Sequence, residues 1–272
     1  MAEEKTQTDD RDEDEFGLDP RVVEAVQEAV EGGEAARLDT ILGTLHAADV
    51  ADLLEQIGAT EREALIALSP DAIDGEVLSE LDEGIREEVI EALPHDVLSE
   101  AVRELDSDDV VDLIEDLEEP QQEKILGALA DSERAAVEKS LTYPEYSAGR
   151  LMQRETVTAP EHWTVGEAID FLRSETELPD QFYHMILVDP LHHPVGHVTL
   201  GKILSSRREI ALKAIVEDSF RTISVMDEEG DVAYAFNQYH LISAPVVDEH
   251  DRLVGVITID DAMAVLDEEH EE

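Results

Sequence analysis

The chain has 272 residues, of which 69 are acidic and 19 are basic, and its formal net charge at pH 7 is −50. It contains no cysteine, which excludes disulfides, zinc–thiolate sites and thiol chemistry. Because no basic stripe is available to meet phosphates, we expect neither nucleic-acid binding nor direct binding to anionic lipid.

The acidic residues alternate with apolar ones, and 42% of the chain is hydrophobic. This pattern predicts a folded chain with a highly charged surface. Such a surface repels itself in dilute salt, whereas in molar salt the Debye length falls to about 3 Å. No apolar run approaches the roughly 20 residues of a membrane span. We therefore expect a soluble protein of a salty cytoplasm, with a disordered acidic tail at residues 1–17.

From residue 18 to residue 142 the sequence has a helical pattern with a repeated leucine. The leucines recur every twelve residues, at Leu81, Leu93, Leu105, Leu117, Leu129 and Leu141. Leu45 and Ile57 fit the same grid, whereas Leu68 departs from it by one residue. A twelve-residue unit leaves room for a helix of about eight residues and a tight turn. We predict that these leucines are core residues of stacked helical hairpins, which form a superhelical, solenoid-like domain.

After Tyr143-Pro144, strand-like runs alternate with helical ones in two similar units. We predict a β-α-β-β-α repeat at residues 143–209 and a second at 210–266, whose Val-Asp to Gly-Thr segments match at an offset of 59. Neither three-stranded sheet could bury both of its faces alone, so the two repeats should pair in one domain. The predicted fold class is therefore multi-domain, an α-helical domain followed by an α/β pair.

These repeats and the junction before them resemble a known family. The pattern Val-Asp, turn, Val-Gly, Thr resembles a CBS repeat, and two in tandem resemble a Bateman module. The junction from Tyr143 to Met152, which reads YPEYSAGRLM, is similar to the linker between the N domain and the CBS pair of MgtE magnesium channels. The preceding helical repeats are similar to the superhelical N domain of that family. The resemblance covers residues from about 20 to 272 and includes no transmembrane domain.

The resemblance implies a cytosolic magnesium-sensing module that controls magnesium transport through an MgtE-type pore. Bound cations would close the N domain onto the CBS pair. It also implies a homodimer through the CBS domains, peripheral at the inner face of the membrane. Residues 267–272 match the start of the family's acidic connecting helix. We expect the pore on a separate chain; alternatively, the sequence is part of a longer protein or regulates another partner.

Mg²⁺ prefers carboxylate and carbonyl oxygens. The resemblance carries the family's magnesium ligands onto five acidic residues, namely Glu76, Asp108, Asp112, Asp261 and Glu269. The spacing of Asp108 and Asp112 places both on one face of a helix. The alternative interpretation is that Asp108 and Asp109 cap that helix and the other acids are solvated surface.

Several positions depart from the family pattern. Family acids correspond to Gly230, His240 and Ala264 in this chain, and a linker glycine corresponds to Arg150, whose charge would oppose an adjacent cation. We therefore expect fewer magnesium sites than in the family.

An adenosine nucleotide such as ATP is the alternative ligand. CBS pairs bind nucleotides with a Thr-x-x-Asp run, which the second repeat has from Thr258 to Asp261, whereas the first repeat has Lys202 at the position of the aspartate. The candidate nucleotide residues are therefore Thr258, Asp261 and Lys202, with His184 or Leu241 beside the adenine. Alternatively, Thr258 and Asp261 only cap the last helix.

No nucleophile–base arrangement, P-loop or glycine-rich dinucleotide motif is present in the sequence, so we expect a protein that is not an enzyme. Two functions remain beside magnesium sensing. One is an adenosine-nucleotide-responsive CBS regulator of another transporter or enzyme. The other is a structural scaffold that holds a peptide in the groove of the solenoid.

Overall fold

A computed structural model of the chain describes residues 18–271 except 116, 118, 177, 180, 218 and 219, and it describes side chains there except at 83 and 267–271. The predicted acidic tail at residues 1–17 lies outside these residues. The chain divides into two compact units, of which the first ends at Glu104 and the second begins at Leu105.

The first unit is helical throughout its described part. Its helices are α1 (Pro20–Gly32), α2 (Ala35–Leu42), α3 (Ala47–Gln56), α4 (Ala59–Leu68), α5 (Gly75–Ser79), α6 (Glu83–Ala92) and α7 (His95–Glu104), with a 3-10 turn at Pro70–Ala72. Proline at the first position of α1 and a left-handed Gly33 (φ 64°) after its end show why this helix starts and stops where it does. The other helices of the unit are separated by similarly short turns.

The leucine grid marks the ends of the helices. Ile57 and Leu93 lie directly after α3 and α6, with their side chains 4% exposed. Leu81 and Leu117 are also buried. The remaining grid leucines, Leu45, Leu105, Leu129 and Leu141, are only half-buried. The twelve-residue period therefore corresponds to the length of one helix and its turn. The prediction that all eight grid positions are core residues is correct for four of them.

The second unit starts with four further helices. They are α8 (Ser107–Glu115), α9 (Glu119–Leu126), α10 (Asp131–Ser140) and the short α11 (Ala148–Leu151). Helix α8 packs against both α10 and α11. Among the described residues, no helix combines the length and the apolar character that crossing a membrane requires.

The two predicted β-α-β-β-α repeats follow, and both are confirmed. The first consists of β1 (Thr158–Pro160), α12 (Val165–Ser174), β2 (His184–Val188), β3 (Pro194–Thr199) and α13 (Leu200–Ser205). The second consists of β4 (Ile223–Ser224), α14 (Glu229–Tyr239), β5 (Ser243–Val247), β6 (Leu253–Thr258) and α15 (Ile259–Glu271). In each sheet the first strand is parallel to the second, and the second is antiparallel to the third.

The internal symmetry extends to irregularities of the sheets. The register shifts between Leu187 and Val188 in the first repeat and between Val246 and Val247 in the second. These are equivalent positions at the predicted offset of 59. One face of each sheet packs on the helices of its own repeat. A smaller cluster of Ile186, Leu253 and Val256 joins the two sheets, as expected if pairing buries their second faces.

Candidate cation site at the starts of helices α8 and α15

Helix α8 begins with two consecutive aspartates. Asp108 and Asp109 lie in its first turn, directly after Ser107. The side chain of Asp108 is buried, and one of its oxygens accepts a hydrogen bond from the N–H of Asp109 at 3.0 Å. Carboxylates are favoured at this end of a helix, where N–H groups lack helical partners and the helix dipole is positive. The local sequence therefore explains where α8 starts.

Helix α15 begins in a related way, directly after β6. Oδ2 of Asp261 accepts hydrogen bonds from the hydroxyl of Thr258 at 2.8 Å and from its N–H at 3.2 Å. A Thr whose hydroxyl and backbone meet an acid three residues later is a helix-capping arrangement. The bond from the Thr258 N–H to Asp261 is one half of a capping box, so both residues help to start the last helix.

The carboxyl groups at these two helix starts influence one another. Burial, followed by the negative charge of Asp261, raises the pKa of Asp108 well above its usual range. The same two causes raise the pKa of Asp109 to about 7. Burial, followed by the charge of Asp260, raises the pKa of Asp261 to about 6. Burial and nearby like charges both disfavour the ionised form of a carboxyl. Because the charges at one helix start affect the pKa values at the other, these carboxyls lie close together and form one acidic site.

A further aspartate, Asp106, contributes to this site and was missed by the sequence reasoning. Its charge helps to raise the pKa of Asp108, of Asp109 and of Asp261. The available signal was its position three residues before Asp109, which brings the two side chains to one side of a helix start. We use "acidic site" below for Asp106, Asp108, Asp109, Asp260 and Asp261.

The five predicted magnesium ligands are distributed unequally. Asp108 and Asp261 lie in the acidic site, and the exposed Asp112 is close enough for its charge to raise the pKa of Asp109. Glu76 is exposed on α5, in the first compact unit. The backbone of Glu269 belongs to α15, and its side chain lies outside the described residues.

The carboxylates are close enough to affect one another, but they are not arranged as a complete ligand shell. Across the side chains that the structure describes, no group of three or more His, Cys, Asp or Glu residues has the spacing that holds a metal ion. Magnesium usually keeps several waters and uses one or two carboxylates. The donor chemistry of the acidic site fits such a hydrated cation.

The unusual linker residue Arg150 has protein partners of its own. Its guanidinium binds Oε2 of Glu115 at 2.7 Å and the carbonyl oxygens of Tyr143 and Leu141 at 3.1 and 3.2 Å. Arg150 therefore ties the end of α8 to the segment that follows α10. Its positive charge is directed to Glu115, on the last turn of α8, whereas the acidic site is at the first turn of the same helix.

A small pocket lies beside the acidic site in the second unit. Of the three predicted nucleotide residues, Thr258 lines it, together with Glu155, Thr156, Phe182, Tyr183, His184 and Ser243. Lys202 is exposed in the first turn of α13, and its N–H donates to Oγ1 of Thr199 at 3.2 Å. Lys202 and Asp261 occupy equivalent positions of the two repeats at the offset of 59. Lys202 lies at the start of α13 and Asp261 at the start of α15.

His184 is held by protein groups at the edge of this pocket. Its ring stacks on that of His197 with a centroid distance of 4.2 Å, and its Nδ1 lies 2.6 Å from Oγ of Ser243. Burial, followed by the charge of His197, lowers the pKa of His184 to about 4. The other candidate for an adenine contact, Leu241, belongs to the core of the second repeat.

Fold and sequence together define a CBS-domain protein with a helical N-terminal region. The sequence profile of the CBS domain matches residues 148–209 and 213–268, and that of the MgtE intracellular N domain matches residues 45–146. The chain belongs to the MgtE family, in which it corresponds to the intracellular N domain followed by the CBS pair.

Individual relatives agree with this assignment. The magnesium transporter MgtE of Thermus thermophilus is 33% identical over 93% of this chain and 57% of its own length. This chain therefore spans little more than half of that relative. A crystal structure of the cytosolic domain of the Mg²⁺ channel MgtE in complex with ATP has a TM-score of 0.81 and 28% identity, over 89% of this chain and 99% of that one. A crystal structure of the soluble part of a magnesium transporter, at 22% identity, supports the fold alone, with a TM-score of 0.77 over 92% of this chain and 98% of that one.

Proposed function

We propose that the chain is a non-enzymatic, magnesium-sensing regulatory module, which controls magnesium transport through an MgtE-type pore from the cytosolic side of the membrane. The observation that carries this proposal is the acidic site, where Asp261 of one helix start raises the pKa of Asp108 and of Asp109 at another. The family membership of the chain and its similarity to a magnesium transporter support magnesium as the ligand and an MgtE-type pore as the regulated partner.

The proposed mechanism is electrostatic. Two carboxylates about 4 Å apart repel each other by on the order of 1–4 kcal/mol, depending on the local dielectric. A divalent cation reverses this sign, displaces the protons that the raised pKa values retain, and favours the state in which the helix starts are close. Magnesium would thereby close the N domain onto the CBS pair, and its loss would favour the open state. Asp108, Asp112 and Asp261 would supply ligands here, with Glu76 and Glu269 at further sites.

We also propose a homodimer formed through the CBS domains. The described helices of the repeats expose large apolar side chains. Monomeric soluble proteins rarely expose large contiguous apolar patches. On α13, α14 and α15 these are Leu204, Tyr234, Tyr239, Ile259 and Met263, which are 73%, 62%, 47%, 37% and 48% exposed. We propose that these side chains lie on the face that the dimer covers, because their burial removes apolar surface from water.

A second candidate ligand is an adenosine nucleotide, favoured by the pocket beside Thr258. Its lining combines the aromatic side chains of Phe182 and Tyr183 with the polar ones of Ser243 and Thr258, a mixture suited to a base and a sugar. The related MgtE domain in complex with ATP adds support. A nucleotide here could accompany magnesium sensing or replace it.

Calorimetric titration of the chain in molar potassium chloride separates these candidates. We expect magnesium to give a saturable heat in the millimolar range that Asp261→Ala removes. A heat from ATP without magnesium, together with none from magnesium alone, would favour the nucleotide-responsive regulator. Equal heats from magnesium in the wild type and in Asp261→Ala would refute the acidic site as the sensor.

A further inference from the structure

A short segment before the first repeat connects the starts of α8 and α15. Gln153 forms an antiparallel bridge with Val256 of β6, in which each N–H donates to the other's carbonyl oxygen at 2.9 Å. Its side-chain Nε2 donates to Oδ2 of Asp106 at 3.3 Å. Since β6 ends at Thr258, the residue that caps α15, this segment is anchored directly beside the start of that helix.

Two residues further on, Glu155 binds the start of α8. Its Oε2 accepts hydrogen bonds from the hydroxyl of Ser107 at 2.8 Å and from the N–H of Ser107 at 3.3 Å. The same hydroxyl accepts from the N–H of Arg154 at 2.9 Å. Ser107 is buried and directly precedes Asp108. Glu155 thus caps α8 from outside the helix, from a segment fixed to the strand that leads into α15.

These contacts oppose the repulsion within the acidic site. The carboxylates of α8 and α15 have no attraction for one another without a cation, because like charges favour separation. The hydrogen bonds of Ser107, which are partly buried, hold the start of α8 in place. The contacts therefore favour the arrangement in which the aspartates are near each other, and a bound cation would stabilise the same arrangement further.

We infer that Ser107 and Glu155 are positioning residues, which preorganise the acidic site and set its affinity for a divalent cation. The inference rests on the proposed magnesium-sensing function. A preorganised site binds more tightly because the bound arrangement needs no further ordering. Loss of one such hydrogen bond should weaken magnesium binding by about three- to tenfold.

The test compares magnesium dissociation constants, measured by calorimetry in molar potassium chloride. Ser107→Ala removes the hydroxyl without changing charge and should weaken binding by about three- to tenfold, whereas Ser107→Thr should restore it. Ser99→Ala is the matched control, because Ser99 is also buried but its hydroxyl donates within its own helix, to the carbonyl of His95. We expect this control to bind magnesium like the wild type.

A second pair of variants covers the case in which Ser107→Ala does not fold. Glu155→Gln should weaken magnesium binding more than Glu167→Gln, because Glu167 accepts the same two kinds of hydrogen bond, from Thr164, at the start of α12. Unchanged affinity in Ser107→Ala and Glu155→Gln, with loss in Asp261→Ala, would overturn this inference and leave the proposed function intact. A wild type that does not bind magnesium would overturn both.

Discussion

Asp261 raises the pKa of Asp108, although the two residues begin different helices, α15 and α8. The relationship requires that both helix starts are near the same place, where β6 and the segment from Gln153 to Glu155 meet. Because burial and like charges disfavour ionisation of these carboxyls, each of them destabilises the folded state when it is ionised and no cation is bound. We therefore expect mutations in the acidic site to change the stability of the protein as well as its binding of magnesium.

Asp109→Asn should stabilise the cation-free protein by on the order of 1–3 kcal/mol near pH 7.5, because it removes a charge from a site where burial and like charges disfavour ionisation. The measurement is thermal or denaturant unfolding in molar potassium chloride with a chelator. Asp52→Asn, on the exposed side of α3, is the control and should change little. Destabilisation by Asp109→Asn would contradict the repulsive character of the site.

The same site should make stability depend on pH. The folded-state pKa values of about 7 for Asp109 and about 6 for Asp261 exceed the ordinary value of 3.8. Between about pH 4 and pH 7 the folded state therefore binds more protons than the unfolded state, and the free energy of unfolding falls as the pH rises. The free energy of unfolding of the wild type minus that of Asp109→Asn should fall with rising pH when a chelator is present. Saturating magnesium should make this pH dependence weaker. Parallel pH profiles of the two proteins would exclude a raised pKa of Asp109.

His184 should give a pH dependence of opposite sign. Its folded-state pKa of about 4 is below the ordinary value of 6.5, so the unfolded state binds a proton first and stability is lost as the pH falls from about 6.5 to about 4. His184→Gln removes this titration and should flatten the acid side of the stability profile. The same change at the exposed His250 should not. A profile of His184→Gln identical to wild type would show that burial of His184 does not control its titration.

Gly255 permits the close approach between β6 and the segment at Gln153. A Cβ at this glycine would lie 2.6 Å from the carbonyl oxygen of Gln153 and 2.7 Å from the sulfur of Met152. Gly255→Ala should therefore destabilise the second unit by about 1–3 kcal/mol and weaken magnesium binding. Gly201→Ala is the control, since a Cβ there meets nothing within 4 Å. Equal unfolding midpoints for the two variants would contradict the tight packing.

The sequence predicted the repeats well because each contains its own local signals. The offset of 59 between the two units and the Val-rich strands predicted both sheets. The register shifts after Leu187 and Val246, at equivalent positions, were seen only in the structure. The pairing of the acidic helix starts could be expected only by resemblance. With one residue in four acidic, the position of Asp106 three residues before Asp109 is too common a pattern to distinguish it from a surface acid. The bond from Ser107 to Glu155 depends on tertiary contacts. The leucine period likewise measured helix length and could not report which leucines are buried.

The proposed dimer can be tested at the exposed apolar face of the CBS helices. Light scattering in molar potassium chloride should give a dimer for the wild type and a monomer for Tyr234→Asp with Met263→Asp, because added carboxylates on an apolar face oppose its burial. Leu191→Asp, on the exposed β2–β3 loop, should remain a dimer. A monomeric wild type, with and without magnesium, would exclude association through this face under these conditions.

The central claim is that a divalent cation at the acidic site draws the chain into a more compact state. Small-angle X-ray scattering over a millimolar magnesium titration in molar potassium chloride tests it directly, with wild type, Asp261→Ala and the control Asp52→Ala. We predict that the radius of gyration falls in the wild type and in the control, and that most of this compaction is absent from Asp261→Ala. Equal compaction in all three proteins, or none in any, would show that these aspartates are only part of a highly charged surface.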